Sequence, residues 1–441
     1  MPLPAIHRRR DPAHGALYGP SFWHAYASNL MVMIAVALLY RYADFVTVLG
    51  GSELHLGWIV GIGMVGSLAG RLLLGSVIDS RGARSVWLAA LILLIVCCLG
   101  HLVVADYRGP TIYVLRILYC CSLAGIFGAS MTFVAGRAPM TRMAEMLGML
   151  GTSGFIGAIV GTQLGDVLCG TATISRFQTD LLFVISAAFG VAGLGFAWLA
   201  TRGQRAPAPR RRPPIVWILR RYQPGTVLLV GAVLGVGAGL PATFLRTYAA
   251  DLGIARIGLF FLVYSLTAIV TRVVTRRLPE RFGLRPMILV GMAFLLLSQF
   301  VFLVVWNEWS LIFPGFTYGV GHAILFPTTV ALGTAAFPNR YRGLGTTVML
   351  AAYDFGQLIG APTAGWIVHS STSVGLPGYP IMFCTVGAMF AVVGAVFVLS
   401  PSTQRRRQPV PTAPLPAPLA SCRPVIEKEK AEVEERLSSA P

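Results

Sequence analysis

GSVIDSRGAR, Gly75 to Arg84, closes one apolar run and opens the next, and RRLPERFGLR, Arg276 to Arg285, does the same in the second half of the chain. A shift of 201 residues lays Gly57 on Gly258, Arg71 on Arg272, Asp79 on Glu280, Gly82 on Gly283 and Arg84 on Arg285. A shift of 199 lays Pro139 on Pro338, Gly157 on Gly356 and Gly161 on Gly360. Self-similarity at so long a period marks a chain assembled from two like halves set in parallel. What the halves are follows from the runs on either side.

Working outward, twelve mostly apolar runs fall at 22–46, 56–78, 85–105, 111–135, 145–168, 179–201, 224–248, 256–275, 286–306, 310–336, 343–368 and 378–400. Each approaches or exceeds the ~20 residues a helix needs to cross a hydrocarbon core about 30 Å thick. None alternates as barrel strands do, and lipid offers the backbone no hydrogen bonds, so the runs are read as helices. Composition agrees: of 441 residues, 55% are hydrophobic and only 12% charged, against roughly a quarter charged in a soluble domain. That excludes a water-facing enzyme, a secreted disulfide scaffold and a disordered chain. The expected fold is an all-α membrane protein with twelve transmembrane helices in two pseudo-symmetric six-helix bundles. Expected boundaries are a cytoplasmic N-tail at 1–21, a bundle at 22–201, a basic Arg-Pro linker at 202–223, a second bundle at 224–400 and a disordered tail at 401–441.

Net charge is +18, and its placement orients the chain. With the N-terminus inside, the cytoplasmic loops and tails carry 27 of the 35 Lys and Arg; the opposite loops carry only Arg108, Arg176 and Arg256. Cations recurring in every second loop follow the positive-inside rule and put both termini in the cytoplasm. A nucleic-acid stripe would concentrate on one domain, so no nucleic-acid partner is expected. The arginines at 8–10 precede an apolar run too long for a cleaved signal, giving an uncleaved first span. The seven cysteines show no metal-ligand spacing and read as small core residues; no metal and no cofactor is expected. Trp23, Trp87, Trp306 and Trp309 fall near span ends, where interfacial belts are ordinary.

Gly75, Asp79, Gly82 and Arg84, at these spacings, resemble the loop 2–3 signature G-x-x-x-D-R-x-G-R-R of the Major Facilitator Superfamily, and Glu280, Gly283 and Arg285 sit where that family repeats it. Ser80 and Ala83 replace basic positions of the signature, while Arg81 supplies a cation one place late. The resemblance implies a secondary transporter and makes these seven residues its conformational switch. A carboxylate gains stability at a helix N-terminus, so Asp79 is expected to meet the start of the eleventh span near Gly343 and latch the halves on the cytoplasmic side. The fifth span, GMLGTSGFIGAIVGTQLGD, partly resembles the family's antiporter motif through Gly157, Gly161 and Gly165, with Thr162 and Asp166 in place of a proline and a glycine. Gly360 and Pro362 form its counterpart in the eleventh span; all five are expected to set close helix packing.

Charges inside spans are functional candidates, because each is costly in lipid. Asp44, one turn beyond Arg41, and Arg116, at about the place of the arginine in the family's fourth-helix motif, are expected to meet across the cavity. Asp44 is the first candidate for proton coupling and Asp354 the second. Arg41, Arg246, His322 and Gln357 are substrate candidates, with Asp251 the alternative partner of Arg246. Arg71 and Arg272 read as anchors that snorkel inward.

The expected function is secondary active transport of a small solute by alternating access, with proton-coupled efflux (antiport) favoured; no P-loop is present, and the chain is not read as an enzyme. A proton-linked importer of a sugar or organic anion, and a non-transporting membrane sensor on the same fold, are the alternatives. The expected partners are the solute, protons and the lipid bilayer, with the protein acting as a monomer in a bacterial inner membrane.

Overall fold

The computed structural model describes residues 18–138, 142–170, 174–203, 221–338 and 341–400. The N-tail up to residue 17, most of the linker and the tail from 401 lie outside them. Among the described residues the regular structure is all helical. The first half holds α1 (Pro20–Leu38), α2 (Tyr42–Val48), α3 (Glu53–Arg81), α4 (Ala83–Gly100), α5 (Pro110–Ala135), α6 (Met143–Cys169) and α7 (Arg176–Ala200). The second holds α8 (Val227–Asp251), α9 (Gly258–Thr275), a short α10 (Leu278–Phe282), α11 (Leu284–Phe302), α12 (Ile312–Ala335), α13 (Arg342–Ser373) and α14 (Gly378–Leu399). A turn of 3-10 helix at Leu39–Arg41 breaks the first span into α1 and α2.

Ten of the described helical segments are long and apolar enough to cross a membrane. The runs expected as tenth and eleventh spans form α12 and α13, of 24 and 32 residues, but are not among those ten. Gly, Thr, Tyr and His thin their apolar content, and α13 is packed against α3 and α8 inside the protein. Around the outside, Leu73, Val96, Val191, Val270, Val392 and Leu399 are exposed. Large apolar surfaces of this kind belong in contact with lipid rather than water. The chain is a multi-pass membrane protein.

Helix starts follow local chemistry. Pro20 and Pro110 stand in the first turns of α1 and α5, where a missing N–H costs nothing. Ser175 caps α7 in a reciprocal pair with Gln178. The repeat is visible at two corners. Gly82 has φ 86° and ψ 155° and Gly283 has φ 82° and ψ 164°, a region open essentially to glycine alone. Each corner is followed by an arginine serving the same purpose. Arg84 donates to the Thr201 carbonyl at the end of α7, and Arg285 to the Phe397 and Ser400 carbonyls at the end of α14. Each ties the third span of its bundle, α4 or α11, to the last, covering carbonyls that a helix terminus leaves unpaired.

Two pairs of long helices form the seam between the bundles, α3 with α13 and α6 with α9. The first pair approaches closely: a Cβ added at Gly57 would stand 2.5 Å from the Ala361 carbonyl, and one at Gly61 2.5 Å from the Pro362 ring. Within the first bundle, Gly157 and Gly161 bring α6 equally close to Met33 and Ile34 of α1. Gly360 packs on Val236. Gly165 faces the Arg41 side chain, and a Cβ there would meet it in ordinary contact, 3.5 Å from Cδ. Trp23, Trp306 and Trp309 are exposed as interfacial residues would be, but Trp87 is fully buried among core side chains. Cys97, Cys98 and Cys120 are buried and Cys121 half-buried, whereas Cys384 is exposed.

Candidate functional site

We call the end at which α1 begins the basic end, and the opposite end the far end. At the far end, helix termini from both bundles deliver charged side chains to one buried cluster. Arg41 lies in the turn after α1, Asp44 in α2, Asp166 near the end of α6, Arg246 near the end of α8, and Gly258 begins α9. Arg41 is 2% exposed, and Asp44, Asp166 and Arg246 are 7%, 7% and 6% exposed. At such burial a charge stands only if paired and hydrogen-bonded.

The pairing is extensive. Arg41 donates from Nη1 to Asp44 (3.0 Å) and the Cys169 carbonyl (2.7 Å), and from Nη2 to Asp166 (2.7 Å) and the Ala255 carbonyl (2.8 Å). Arg246 Nε lies 2.8 Å from Asp44 Oδ1. Asp166 accepts the amides of Ile257 (3.2 Å) and Gly258 (2.5 Å) at the start of α9. These are amides that α9 cannot satisfy itself, and a carboxylate there is further favoured by the helix dipole. The cluster divides into two kinds of contact. Arg41 with Asp44 and Asp166 holds the first bundle together. Asp44 with Arg246, Asp166 with the α9 amides and Arg41 with Ala255 join one bundle to the other. Nearby, Tyr379 donates to Glu53 (3.4 Å), a further link across the seam.

This arrangement revises several sequence expectations. Asp44 does not meet Arg116; it is held by Arg41 and Arg246. Arg116 instead stands over the rings of Tyr42 (4.5 Å) and Tyr119 (5.1 Å), inside the first bundle. Arg41 is enclosed in ion pairs, leaving it no free donor face for a solute. Arg246 pairs with Asp44 and not with Asp251. Asp166, read from the sequence only as a departure from a glycine motif, is central. The available signal was a carboxylate closing one apolar run, while Gly258, opening another, had orphan amides to offer.

A second charged contact crosses the seam nearer the basic end. Arg71 of α3 is paired with Asp354 of α13, and Ser67 donates to the same carboxylate (2.6 Å). Arg71 is therefore not a snorkelling anchor. Asp354 is 3% exposed. Further toward the basic end, the polar contacts of Arg84, Arg142, Glu145 and Arg285 each stay within one bundle. The side chain of Asp79 and the surroundings of Gly75 lie outside the described residues, so the expected contact of Asp79 is not described. Space beside Gly343, at the start of α13, is open, and Glu280 is exposed.

Between the two charged layers, aromatic side chains from both bundles face one another. Tyr40 meets Phe261 (4.8 Å between rings) and Phe155 meets Tyr264 (6.0 Å). His322 bonds the Tyr264 hydroxyl through Nδ1 (3.0 Å), stacks on Tyr318 and adjoins Phe326. Gln357 packs against Gly239. Arg272 stands over Phe155 (4.7 Å) across the seam, contrary to its reading as an anchor.

Comparison with known proteins agrees with this architecture. The family profile described as Major Facilitator Superfamily matches residues 22–254 and 227–432. Multidrug resistance protein 1 of Bacillus subtilis (strain 168) is 25% identical over 181 residues, covering 40% of this chain and 44% of that protein. The uncharacterized MFS-type transporter EfpA of Mycobacterium tuberculosis (strain ATCC 25618 / H37Rv) is 28% identical over 193 residues, covering 40% and 36%. The alignments thus span less than half the length of these curated relatives. Among solved structures, the nucleoside transporter NupG superposes with a TM-score of 0.67 at 11% identity, covering 86% of this chain and 98% of that one. A bacterial homologue of the human lysosomal transporter Spinster, in an inward-facing and unoccupied conformation, gives 0.67 at 12% identity, covering 88% and 97%. At such identities the likeness is one of fold.

Proposed function

This chain belongs to the Major Facilitator Superfamily, whose members carry small solutes across membranes, and we propose that it works by alternating access as a proton-coupled exporter. The observation that carries this reading is the far-end cluster, because it ties the bundles together through a carboxylate shared between two arginines. The positive-inside rule makes the basic end cytoplasmic, so a locked far end corresponds to a pathway closed to the outside. The domain division follows, with bundles at 22–201 and 224–400 rocking about the seam.

Asp44 is the coupling residue in this reading. A proton on Asp44 removes the charge that holds Arg246, while Arg41 keeps Asp166. Protonation therefore loosens the contact between bundles and leaves the first bundle intact. Asp354, gripping Arg71 across the other part of the seam, is the second coupling site. Two curated relatives bear multidrug resistance names, which supports export over import.

The test uses oriented vesicles. Uptake of a panel of fluorescent cationic, neutral and anionic solutes is measured in inverted and right-side-out vesicles, with and without an uncoupler. Uncoupler-sensitive uptake confined to inverted vesicles is expected. Asp44→Asn is expected to abolish gradient-driven accumulation while leaving solute exchange measurable. Accumulation in right-side-out vesicles, or unaltered gradient-driven uptake by Asp44→Asn, would overturn export or the role of Asp44 respectively.

A further inference from the structure

Among the described residues, charges in the interior do not balance. Arg41, Arg71 and Arg246 are matched by Asp44, Asp166 and Asp354. Arg116 and Arg272 have no carboxylate partner among the described residues, and the Nε of each is buried without a hydrogen-bond partner. An unpaired cation inside a membrane protein is costly and marks a functional site by default.

The two differ in what surrounds them. Arg116 is held between the rings of Tyr42 and Tyr119, both from its own bundle, so two aromatic faces already stabilise it. Arg272 has one such face, Phe155, and that ring comes from the other bundle. It is half-buried, and its Nη1 lies beside Gly151 of α6, where the lack of a side chain leaves space. Helical side chains lean toward the N-terminus of their helix. For α9 that direction is away from the basic end, and the Phe155 ring accordingly touches both Arg272 and Tyr264. The guanidinium is thus turned into the seam, toward the aromatic layer. Tyr264, His322, Tyr318 and Phe326 supply flat walls and a hydroxyl–imidazole pair there.

We propose that Arg272, framed by Phe155, Tyr264 and His322 at the seam of the bundles, binds the anionic group of the transported solute, which belongs to the class of small aromatic organic anions. The inference rests on the transporter reading above and adds the charge and shape of the cargo. A planar guanidinium presents a fork of donors that matches a carboxylate, sulfonate or phosphate. The solute's ring then stacks in the aromatic layer, and its charge neutralises the cation that the empty protein leaves unpaired. Because Phe155 and Arg272 come from opposite bundles, a ligand seated between them senses their relative position, which a carrier requires.

The experiment uses the full chain in lipid nanodiscs and a matched series of probes: 2-naphthoate, 2-naphthalenesulfonate, 1-naphthyl phosphate and the neutral 2-naphthamide. Affinity is read from thermal stabilisation, since a ligand preferring the folded state raises its midpoint. At least one anion is expected to bind at least tenfold tighter than the amide. Arg272→Gln should remove that preference while leaving the amide unaffected; Arg272→Lys should keep part of it, and Arg116→Gln should keep all of it. Empty Arg272→Met should melt no lower than the wild type, because it removes a cation that has no carboxylate partner among the described residues, and the apolar Met side chain can keep packing on the Phe155 ring. Equal affinity for amide and anions, no anion binding at all, an unchanged preference in Arg272→Gln, or a lowered midpoint for Arg272→Met overturns the proposal. The vesicle assay separates this from failure of the parent reading. Uncoupler-sensitive flux of neutral or cationic solutes without anion binding sinks only the cargo class. Anion binding without flux of any solute sinks the transport reading.

Discussion

Asp166→Asn is the most direct perturbation of the far-end cluster. The substitution keeps the shape and one acceptor oxygen but removes the charge that faces both Arg41 (2.7 Å) and the amides of Ile257 and Gly258. Hydrogen bonds to charged groups contribute about 1.5–3 kcal/mol each, and a carboxylate at a partly buried helix N-terminus up to ~2 kcal/mol. The bonds to Arg41 lie within one bundle and survive opening, so only the contact with α9 changes between closed and open far ends. Taking about 2 kcal/mol for that contact, the open far end should become roughly 30-fold more populated, at 1.4 kcal/mol per tenfold. Cys169 is a native reporter: it is fully buried, and its carbonyl is one of the acceptors of Arg41. Alkylation of Cys169 by a membrane-impermeant maleimide, added from the far-end side and quantified by peptide mass spectrometry, should accelerate by the same order. An unchanged alkylation rate in Asp166→Asn, in a protein that still folds, would refute the claim that this carboxylate fastens the bundles.

The seam offers further tests. Asp354→Asn leaves Arg71 without its partner and should cost about 2–4 kcal/mol, whereas adding Arg71→Gln should restore part of the loss; a thermal double-mutant cycle showing coupling below ~0.5 kcal/mol would discount the pair. Gly57→Val places a branched side chain where even a Cβ would be 2.5 Å from the Ala361 carbonyl, and should abolish flux in vesicles while the protein still reaches the membrane. Gly82→Ala and Gly283→Ala each force a side chain into a backbone region that disfavours it. Each should cost about 1–3 kcal/mol, read as a lower melting midpoint in detergent.

Much of the architecture was legible because it is written in long, local patterns. Apolar runs gave the helices, and the offset of 201 residues linked Gly82 to Gly283 and Arg84 to Arg285, which share backbone conformation and hydrogen-bonding role. The site was less legible, because its pairs are distant in the chain. Arg246 and Asp44 are 202 residues apart, and Asp166 meets amides 91 and 92 residues on. No periodicity within one helix encodes which helix of the other bundle it will touch. Arg71 was misread for a related reason. Counted from the end of an apolar run it looks interfacial, but α3 continues as a 29-residue helix to Arg81, which leaves Arg71 within the seam and within reach of Asp354.

From the sequence, a carboxylate of one bundle is expected to rest on a helix start of the other, at the basic end through Asp79. The same physics stands at the far end, where Asp166 takes the first amides of α9. A rocking pair of bundles needs contacts that are strong in one state and absent in the next, yet never strong enough to trap it. A carboxylate on orphan amides suits that demand. In the closed state it satisfies donors that would otherwise be bare, and in the open state water solvates both partners, so the net difference stays near a few kcal/mol. An ion pair buried as deeply as Arg41 and Asp166 has no such modest alternative, since separating it leaves charges stranded. That pair accordingly lies within one bundle and need not break. In the cycle proposed here, opening the far end must separate Asp166 from α9, Arg41 from the Ala255 carbonyl and Asp44 from Arg246, and the last of these separations is the one a proton can relieve.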